Sequence, residues 1–571
     1  MSLFGSIQMA GNTLQAMQIG LQVVGNNIAN ANTPGYIREK AIFTPAPVQE
    51  LGSLTLGLGV EIAGIVQNID KFTENRLRDA AGDRASAEAQ ENAFRDLEVI
   101  LDSLSEEVSI GSRITGFFNA IHDLTLTPDQ DNAAIRDLAI KSGELLTQSI
   151  NSLQRRVSVQ FEDLDTRVTQ VSDEINTLAE EIRVLNLRIV TVEGGGASGS
   201  DAGALRSQRS TALKQLSELA DITTIETEAG VTNVTINGEI LVFEATRREV
   251  EVRNNIVNDQ QVAQLQFADN GSDLIVGGGE LHGIYEARDT ILGGFLGGLD
   301  DFARALTFEF NKVYSQGQGQ VGFDTLTSTY QVDDPAAALN AAGLDFTPQN
   351  GKFDLIVLNK NTGTEETHTI TIDLNGTDAE TTLTSLAEVI DSISSVSAVV
   401  SLDNELVLSS ESSDTEFAFE KDTSGALAAL GLNTFFSGST AANLGVNAVL
   451  TTGDAPGSKF AASLAGIGEG TENALDLINL QDAGLEDLDG NSITGVFNQL
   501  INEVTQGSTI SASVAEGLRV FEGTLDAKAQ SVSGVNLDEE AIDMIQLQRA
   551  YQASARYIQA LSELLDVLVQ L

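Results

Sequence analysis

The hydrophobic residues near the start of the chain follow the spacing of a coiled coil. They alternate four and three residues apart, which is the pattern of the a and d positions in a coiled-coil seam. The opposite face carries Gln and Asn, and residues 1–36 contain no Asp, Glu, Lys, Arg or His. Because a surface helix normally turns charged residues to water, we expect this helix to contact protein on several sides. Its seam comprises Leu3, Ile7, Ala10, Leu14, Met17, Leu21, Val24 and Ile28.

The C-terminal segment repeats this spacing along two adjacent stripes. Together they cover roughly half of the helix circumference, which is more than one partner helix can cover. We therefore expect the two terminal helices to pair and the pair to pack against further copies of the chain. A bundle closed within one subunit is the alternative, because bundle cores also show heptads. The first stripe comprises Leu537, Ala541, Met544, Gln548, Tyr551, Ala555, Ile558, Ser562, Leu565 and Val569, and the second comprises Leu547, Ala550, Ser554, Tyr557, Leu561, Leu564, Leu568 and Leu571.

Between the termini, a third heptad segment and several strand patterns occur. From Leu164 to Val192, apolar residues again lie alternately four and three positions apart, and Asp, Glu and Arg occupy the other face. This pattern predicts a solvated rod helix that begins near Ile150 and ends at the glycines 194–196. Asn237-Gly238 separates two alternating segments and predicts a hairpin. Strands are predicted at 223–228, 231–236, 240–243, 353–358, 367–374, 398–402 and 405–408, and further helices at 285–314 and 383–393.

The pattern as a whole predicts a multidomain α+β protein. Long coiled-coil-like helices from both termini would form its inner part, with β-rich outer domains inserted between them. The predicted segments are 1–75, an N-terminal assembly helix, turn and extended segment that pairs with the C-terminal assembly helix 525–571; 76–221, a helical rod domain completed by 283–316 and 461–524; 222–282, an antiparallel β domain; and 317–460, an outer α+β domain.

The composition narrows the classes of function. The 571 residues include 82 Asp and Glu but 32 Lys and Arg, for a net charge of -50. This charge repels nucleic acid and anionic membrane surfaces, so we expect neither as a partner. The chain has no cysteine, which excludes disulfides and thiolate metal sites. The N-terminus lacks the pattern of a secretory signal peptide, so we expect export without a cleaved signal peptide. The sequence has no apolar stretch long enough to cross a membrane, so we expect no membrane insertion.

No residue pattern points to catalysis, a metal or a cofactor. His122, His282 and His368 each lack a second ligand at metal-site spacing. Residues 317–322 match the dinucleotide pattern but follow a predicted helix instead of a strand, so we interpret them as a flexible linker. Residues 487–490 lack the first and last ligands of an EF-hand. We therefore expect no enzyme activity and no cofactor.

The residues after the first helix carry a recognisable motif. Thr33-Pro34-Gly35-Tyr36 fits a type II turn, because proline sets φ at its second position and glycine accepts positive φ at its third. Asn30, Ala31 and Asn32 precede this turn. The whole stretch resembles the signature shared by bacterial flagellar rod, hook and hook-associated axial proteins.

Three further stretches narrow this resemblance to hook-associated proteins of the hook–filament junction. One contains Gly534, Val535, Asn536 and Leu537 within residues 533–541. The others are residues 548–556 and 431–438. A fourth stretch, Leu205 to Ser210, is similar to a family segment that usually has Asp where Ser207 and Ser210 stand.

The resemblance implies a structural protein that is exported unfolded through the flagellar type III apparatus. Its terminal segments would order on assembly into an inner coiled-coil tube. Expected partners are further copies in a ring, the hook protein, a second junction protein, filament proteins and an export chaperone. The expected location is the extracellular hook–filament junction, where the chain would be needed for filament attachment and motility.

Two alternatives remain at this stage. The motif at Asn30 to Tyr36 is shared among axial proteins, so a hook or distal rod protein is the nearer one. A secreted enzyme or adhesin that carries its active surface on residues 222–460, with the helices as an anchor, is the more distant one.

Overall fold

Long helices occupy both ends of the chain and small sheets occupy its middle, which confirms the predicted α+β class. The computed structural model describes residues 3–51, 54–102, 109–126, 133–196, 199–257, 260–376, 380–452, 455–485, 488 and 490–570. The α-helices are α1 (Leu3–Ala29), α2 (Lys71–Asp102), α3 (Ile110–Leu126), α4 (Ala133–Glu193), α5 (Gly203–Leu219), α6 (Gly279–Tyr285), α7 (Gly293–Tyr314), α8 (Leu383–Asp391), α9 (Ala426–Leu430), α10 (Glu472–Asn479), α11 (Ile493–Ser533) and α12 (Leu537–Gln570). A π-helical segment, Glu286–Leu292, joins α6 to α7.

The strands form small sheets whose neighbouring strands pair antiparallel. They are β1 (Glu39–Pro45), β2 (Val48–Leu51), β3 (Leu54–Gly57), β4 (Val60–Gln67), β5 (Ile222–Glu226), β6 (Thr232–Ile236), β7 (Glu239–Phe243), β8 (Thr246–Arg247), β9 (Val250–Val257), β10 (Gln260–Phe267), β11 (Thr325–Thr327), β12 (Gly351–Asn359), β13 (Thr364–Ile372), β14 (Val396–Val400), β15 (Leu406–Ser410), β16 (Thr415–Glu420), β17 (Phe436–Ser437) and β18 (Gly445–Val446). Asn237 and Gly238 join β6 to β7 with φ of 47° and 84°, so the predicted hairpin is confirmed, with the positive φ of a type I′ turn.

The chain divides into two compact units. Unit 1 contains Met1–Ala93, Glu162–Thr290 and Ser508–Leu571, and unit 2 contains Phe94–Phe161 and Ile291–Gly507. The domain segments predicted from sequence follow other boundaries and stay predictions.

The core of unit 1 lies between the second half of α4, helix α5 and the sheets of residues 222–267. Val168, Val171, Ile175 and Ile182 lie on one face of α4 and are fully buried there. They belong to the predicted heptad, so the rod helix is confirmed between Leu164 and Val192. Its start is not, because α4 begins at Ala133.

Unit 2 has a β core and an aromatic core. The sheets β13-β12-β16 and β11-β15-β14 pack with α8 around buried Phe353, Phe417 and Leu386. The interpretation of residues 317–322 as a flexible linker is wrong. Gln318 is buried there, its Nε2 donates to the Phe419 carbonyl at 2.7 Å, and its backbone N–H donates to Ser463 at 2.9 Å.

Candidate assembly site

The motif after α1 forms the turn that its sequence predicts. The Tyr36 amide donates to the Thr33 carbonyl at 3.2 Å, and Gly35 has a φ of 73°. These two features confirm the type II turn. Asn32, Thr33 and Pro34 are exposed on it, and the chain continues directly into β1, which pairs with β4.

Helix α1 packs antiparallel against α12, with small residues at the closest approach. Asn27 contacts Glu540, and a Cβ built on Gly20 would lie 3.2 Å from a Leu547 methyl carbon. Because the residue number falls along α1 as it rises along α12, the helices run in opposite directions. The residues of α1 that become buried are Ser6, Ala10, Ala16, Gly20, Val23, Val24 and Asn27.

The residues predicted as the assembly seam are covered to different degrees. On α1, Val24 is buried, whereas Ile7, Leu14, Met17, Leu21 and Ile28 are only half-buried. On α12, Leu561 is buried and Leu537 is exposed. Among the other predicted α12 positions, Ala541, Gln548, Tyr557, Ser562 and Leu564 are exposed, whereas these are half-buried: Met544, Leu547, Ala550, Tyr551, Ser554, Ala555, Ile558 and Leu565. The side chains of Leu3, Leu568, Val569 and Leu571 lie outside the described residues.

A buried polar node joins α1, the turn and α12 at one end of this helix pair. Asn27 is 1% exposed, and both ends of its amide are hydrogen-bonded. Its Nδ2 donates to the Glu39 carbonyl at 2.9 Å and to Glu540 Oε2 at 3.1 Å. Its Oδ1 accepts from the Tyr36 hydroxyl at 2.9 Å and from the Glu39 amide at 3.0 Å. Burial, with the negative charges of Glu39 and Glu540, raises the pKa of Tyr36 to about 12.

Arg38 completes the node from the strand side. Its Nε lies 2.6 Å from Glu540 Oε1, and its Nη1 lies 2.8 Å from Glu539 Oε2. Burial alone would lower the pKa of Arg38, but these carboxylates outweigh it and raise that pKa. The Arg38 amide also donates to the Ser533 carbonyl at 2.9 Å. The node therefore ties the first motif to the stretch that begins at Ser533.

Sequence reasoning missed Asn27, Arg38 and Glu540. The spacing predicted Asn27 on the polar face opposite the seam, and this is wrong, because the structure buries it against α12. Its partner lies 513 positions away, and nothing in a single sequence links the two.

The Leu205 to Ser210 stretch lies within α5 and contributes to an ion cluster of unit 1. Arg206 lies 2.6 Å from Glu193 and 2.6 Å from Glu226, and Arg209 lies 2.9 Å from Glu226. Lys71 also pairs with Glu226. Burial on its own would raise the pKa of Glu226, but these cations together hold it below the ordinary value.

We expect Glu226→Gln to destabilise unit 1 by about 1.5–3 kcal/mol at pH 7, because it leaves buried Arg209 and half-buried Arg206 without their shared carboxylate. The pKa of Glu226 is lower in the folded state than its unfolded value of 4.5. The ionised carboxylate therefore stabilises the fold fully above pH 4.5, and this stabilisation is lost as the pH falls through the folded-state pKa. Denaturant unfolding between pH 7 and pH 3 should therefore show the variant approaching the unmodified chain only in acid. Glu228→Gln, at an exposed position nearby, is the control, and an equal effect from it would contradict this account.

Ser207 connects this helix to the motif region. Its hydroxyl accepts from the Ile37 amide at 3.3 Å and from Gln67 Nε2 at 3.0 Å. The hydroxyl therefore ties α5 to the residues that follow the Thr33 to Tyr36 turn and to the end of β4.

The described part of the chain offers neither a metal site nor a membrane-spanning helix. Among these residues, no group of His, Cys, Asp and Glu side chains could hold a metal ion. Asp487 and Asp489, from the EF-hand-like stretch, lie outside them. No described helix is long and apolar enough to cross a membrane.

Three flagellar family models match separate parts of the chain. The flagellar hook-associated protein FlgK helical domain matches residues 94–325. The flagella basal body rod protein model matches residues 7–36, and the C-terminal model of the flagellar basal body rod FlgEFG proteins matches residues 527–571. The last two matches coincide with α1 and its turn, and with α12.

Whole-chain comparisons give the same result. The chain is 25% identical over 584 residues to flagellar hook-associated protein 1 of Escherichia coli (strain K12), with 99% of each chain covered. It is 21% identical over 614 residues to that of Bacillus subtilis (strain 168), with 100% of this chain and 98% of the relative covered. The solved flagellar hook junction protein FlgK from Burkholderia pseudomallei shares the fold, with a TM-score of 0.50 at 14% identity over 80% of this chain and 100% of that one. With the antiparallel helix pair, these matches identify the chain as a member of the flagellar hook-associated protein 1 family and as an axial junction protein of the bacterial flagellum.

Proposed function

We propose that copies of this chain assemble through α1 and α12 into a ring between hook and filament, and that filament attachment depends on this ring. The half-buried seam of α1 carries the proposal. Ile7, Leu14 and Leu21 recur every seven residues, and each stays partly open to solvent in the single chain. Helices in water gain their stability by burying such a stripe, and a neighbouring copy can cover it.

Exposed apolar side chains on α12 support the same proposal. Large apolar side chains that stay exposed on a helix are candidates for contact with another protein. Each of these side chains is 40–57% exposed. Leu537, Tyr557 and Leu564 belong to the two predicted stripes, so α1 covers only part of the apolar arc, and Ile542, Ile545 and Val567 lie outside those stripes. They are Leu537, Ile542, Ile545, Tyr557, Leu564 and Val567.

The packing between the two helices also leaves room. A cleft of about 480 Å³ lies beside the pair, with Gly20, Val24, Phe43, Leu547 and Ala550 among its lining residues. The cleft is open to solvent, and the charged side chains of Arg38, Lys40 and Asp543 also line it. A side chain from an adjacent subunit would complete this packing.

The distribution of charge favours contact between copies at these helices. Two chains that each carry a net charge of -50 repel one another over most of their surface. Helix α1 has no charged side chain. It is therefore a surface on which a second copy can approach without that repulsion.

The finer features of the proposal follow from family membership. The family is one of structural proteins, and we propose no enzyme activity and no cofactor. The proposed partners are the hook protein, a second junction protein, filament proteins and an export chaperone. The chain is a component of the flagellum, and its proposed place is outside the cell after export without a cleaved signal peptide.

Charge placed on the uncovered face of α12 tests the proposal. We expect Ile542→Asp with Ile545→Asp to reduce the number of attached filaments per cell at least about tenfold. Burying unpaired carboxylates in a contact costs more than the about 1.4 kcal/mol that a tenfold change represents. Electron microscopy of cells that express only the variant gives the count.

Ile225→Asp with Ile275→Asp is the matched control, because both positions are similarly exposed but lie in the β region of unit 1. The control should leave filament number unchanged. Normal filaments with the α12 variant, in cells that contain no unmodified chain, would contradict assembly through this face.

A further inference from the structure

The apolar pattern of the α1–α12 pair does not determine how far one helix slides along the other. Both helices repeat every seven residues, so a shift of seven positions would again place apolar residues opposite apolar residues. Such a shift moves one helix by about 10 Å. The buried side chains of Ala10, Ala16 and Val23 have no polar atoms that could distinguish one register from the next.

The Asn27–Glu540 contact does not repeat along the pair. One repeat back from Asn27 is Gly20, and one repeat on from Glu540 is Leu547. A slip in one direction would place Glu540 against Gly20, and a slip in the other would place Asn27 against Leu547. Either slip would leave a buried amide or carboxylate without its partner, which is costly.

We propose that Asn27 and Glu540 are positioning residues that set the register of α1 on α12. A single buried polar residue can fix the register of paired helices in this way. The consequence for ring assembly rests on the proposed function, whereas the register belongs to the single chain.

Neighbouring contacts hold both residues in place. Tyr36 and the Glu39 backbone orient the Asn27 amide, and Arg38 pairs with Glu540. Asn68 Nδ2 also donates to the Val532 carbonyl at 2.7 Å, just before α12 begins. The register therefore also determines where the Thr33 to Tyr36 turn lies relative to residues 533–536.

Disulfide trapping in the purified full-length chain tests the proposal, because the chain has no cysteine of its own. Continuing the observed register by one repeat places Thr13 opposite Ser554, so Thr13→Cys/Ser554→Cys reports the native register. Thr13→Cys/Leu547→Cys and Thr13→Cys/Leu561→Cys report slips of seven residues in the two directions. Disulfides form only between residues whose Cα atoms lie within about 7 Å, so neighbouring registers are distinguished.

In the unmodified background we expect the native pair to form intrachain links with a preference of at least about tenfold over either slipped pair. Glu540→Gln and Asn27→Leu should each remove most of this preference while helix content by circular dichroism stays unchanged. Glu539→Gln is the matched control, because Glu539 also pairs with Arg38 but is exposed. It should keep the preference.

Two results would overturn the proposal. One is equal linking of native and slipped pairs in the unmodified background, and the other is an unchanged preference after both Glu540→Gln and Asn27→Leu. Filament attachment is scored separately in cells. A variant that keeps the native register but loses filament attachment would not contradict the proposed role of Asn27 and Glu540. It would count against the proposed assembly face instead.

Discussion

Deletion of residues 3–28 is expected to abolish filament attachment while leaving the two folded cores of the chain intact. The residues removed include the half-buried seam Ile7, Leu14 and Leu21, which is the proposed contact between copies. The cores around Val171 in unit 1 and around Phe353 in unit 2 contain no residue from this segment. Swimming assays and electron microscopy measure the first effect, and limited proteolysis of the purified variant measures the second.

A second variant separates the seam from the mere presence of the segment. Residues 3–28 are kept at the same length and composition but reordered so that no apolar residue recurs at seven-residue intervals. We expect this variant also to lose attachment, because only the heptad places its side chains on one face. The amount of each protein in the medium shows whether export is preserved. Normal motility of either variant would contradict the proposed role of α1.

The heptads predicted the terminal helices but not which side of α1 faces α12. The search for a seam selected large residues such as Leu14 and Leu21, since these dominate the hydrophobic pattern. Of that seam the structure buries Ala10 and Val24, and it buries Ala16 and Gly20, which the prediction left out. Small residues let two helix backbones approach closely, and their weak hydrophobicity hides them from a pattern search. The large residues stay half-buried, and they form the proposed contact with other copies.

The polar node at Asn27 was beyond prediction for a different reason. Its parts come from α1, from the start of β1 and from the first turn of α12. Each part alone has an ordinary explanation, because acidic residues such as Glu540 are common in the first turn of a helix. Only the folded chain shows that Glu540 is buried and shared between Asn27 and Arg38.

The start of the rod helix was predicted too late, and Gly143 explains part of the error. Glycine lowers helix propensity by about 1 kcal/mol relative to alanine, so it weakens the helical signal ahead of Ile150. The structure requires a glycine here, because a Cβ built on it would lie 2.6 Å from the Phe435 ring. Phe435 belongs to the 431–438 stretch that resembles the family, and this contact shows what the stretch does in the fold.

Residues 431–438 attach to the end of α7 through two asparagines. Asn311 accepts from the amides of Phe435 and Phe436 at 3.0 Å each. Asn433 donates to the carbonyls of Ser315 and Gly317 at 2.9 Å. These bonds hold the Phe435 ring at the centre of the aromatic core of unit 2. Its ring centroid lies 5.2 Å from Phe117, 5.4 Å from Phe310, 4.8 Å from Phe436, 5.5 Å from Tyr314 and 5.9 Å from Phe460.

Phe435→Ala is therefore expected to lower the free energy of unfolding of unit 2 by about 3–5 kcal/mol, the cost of emptying a fully buried phenylalanine site. Hydrogen exchange should show this as faster opening of α3 and of α7, whose Phe117 and Phe310 lose their common neighbour. Leu402→Ala is the control, because Leu402 is fully exposed in the same unit, and it should change stability by less than about 0.5 kcal/mol. Protection of α3 that survives Phe435→Ala would mean that the core closes around the gap, so that residues 431–438 do not support the helices through this ring.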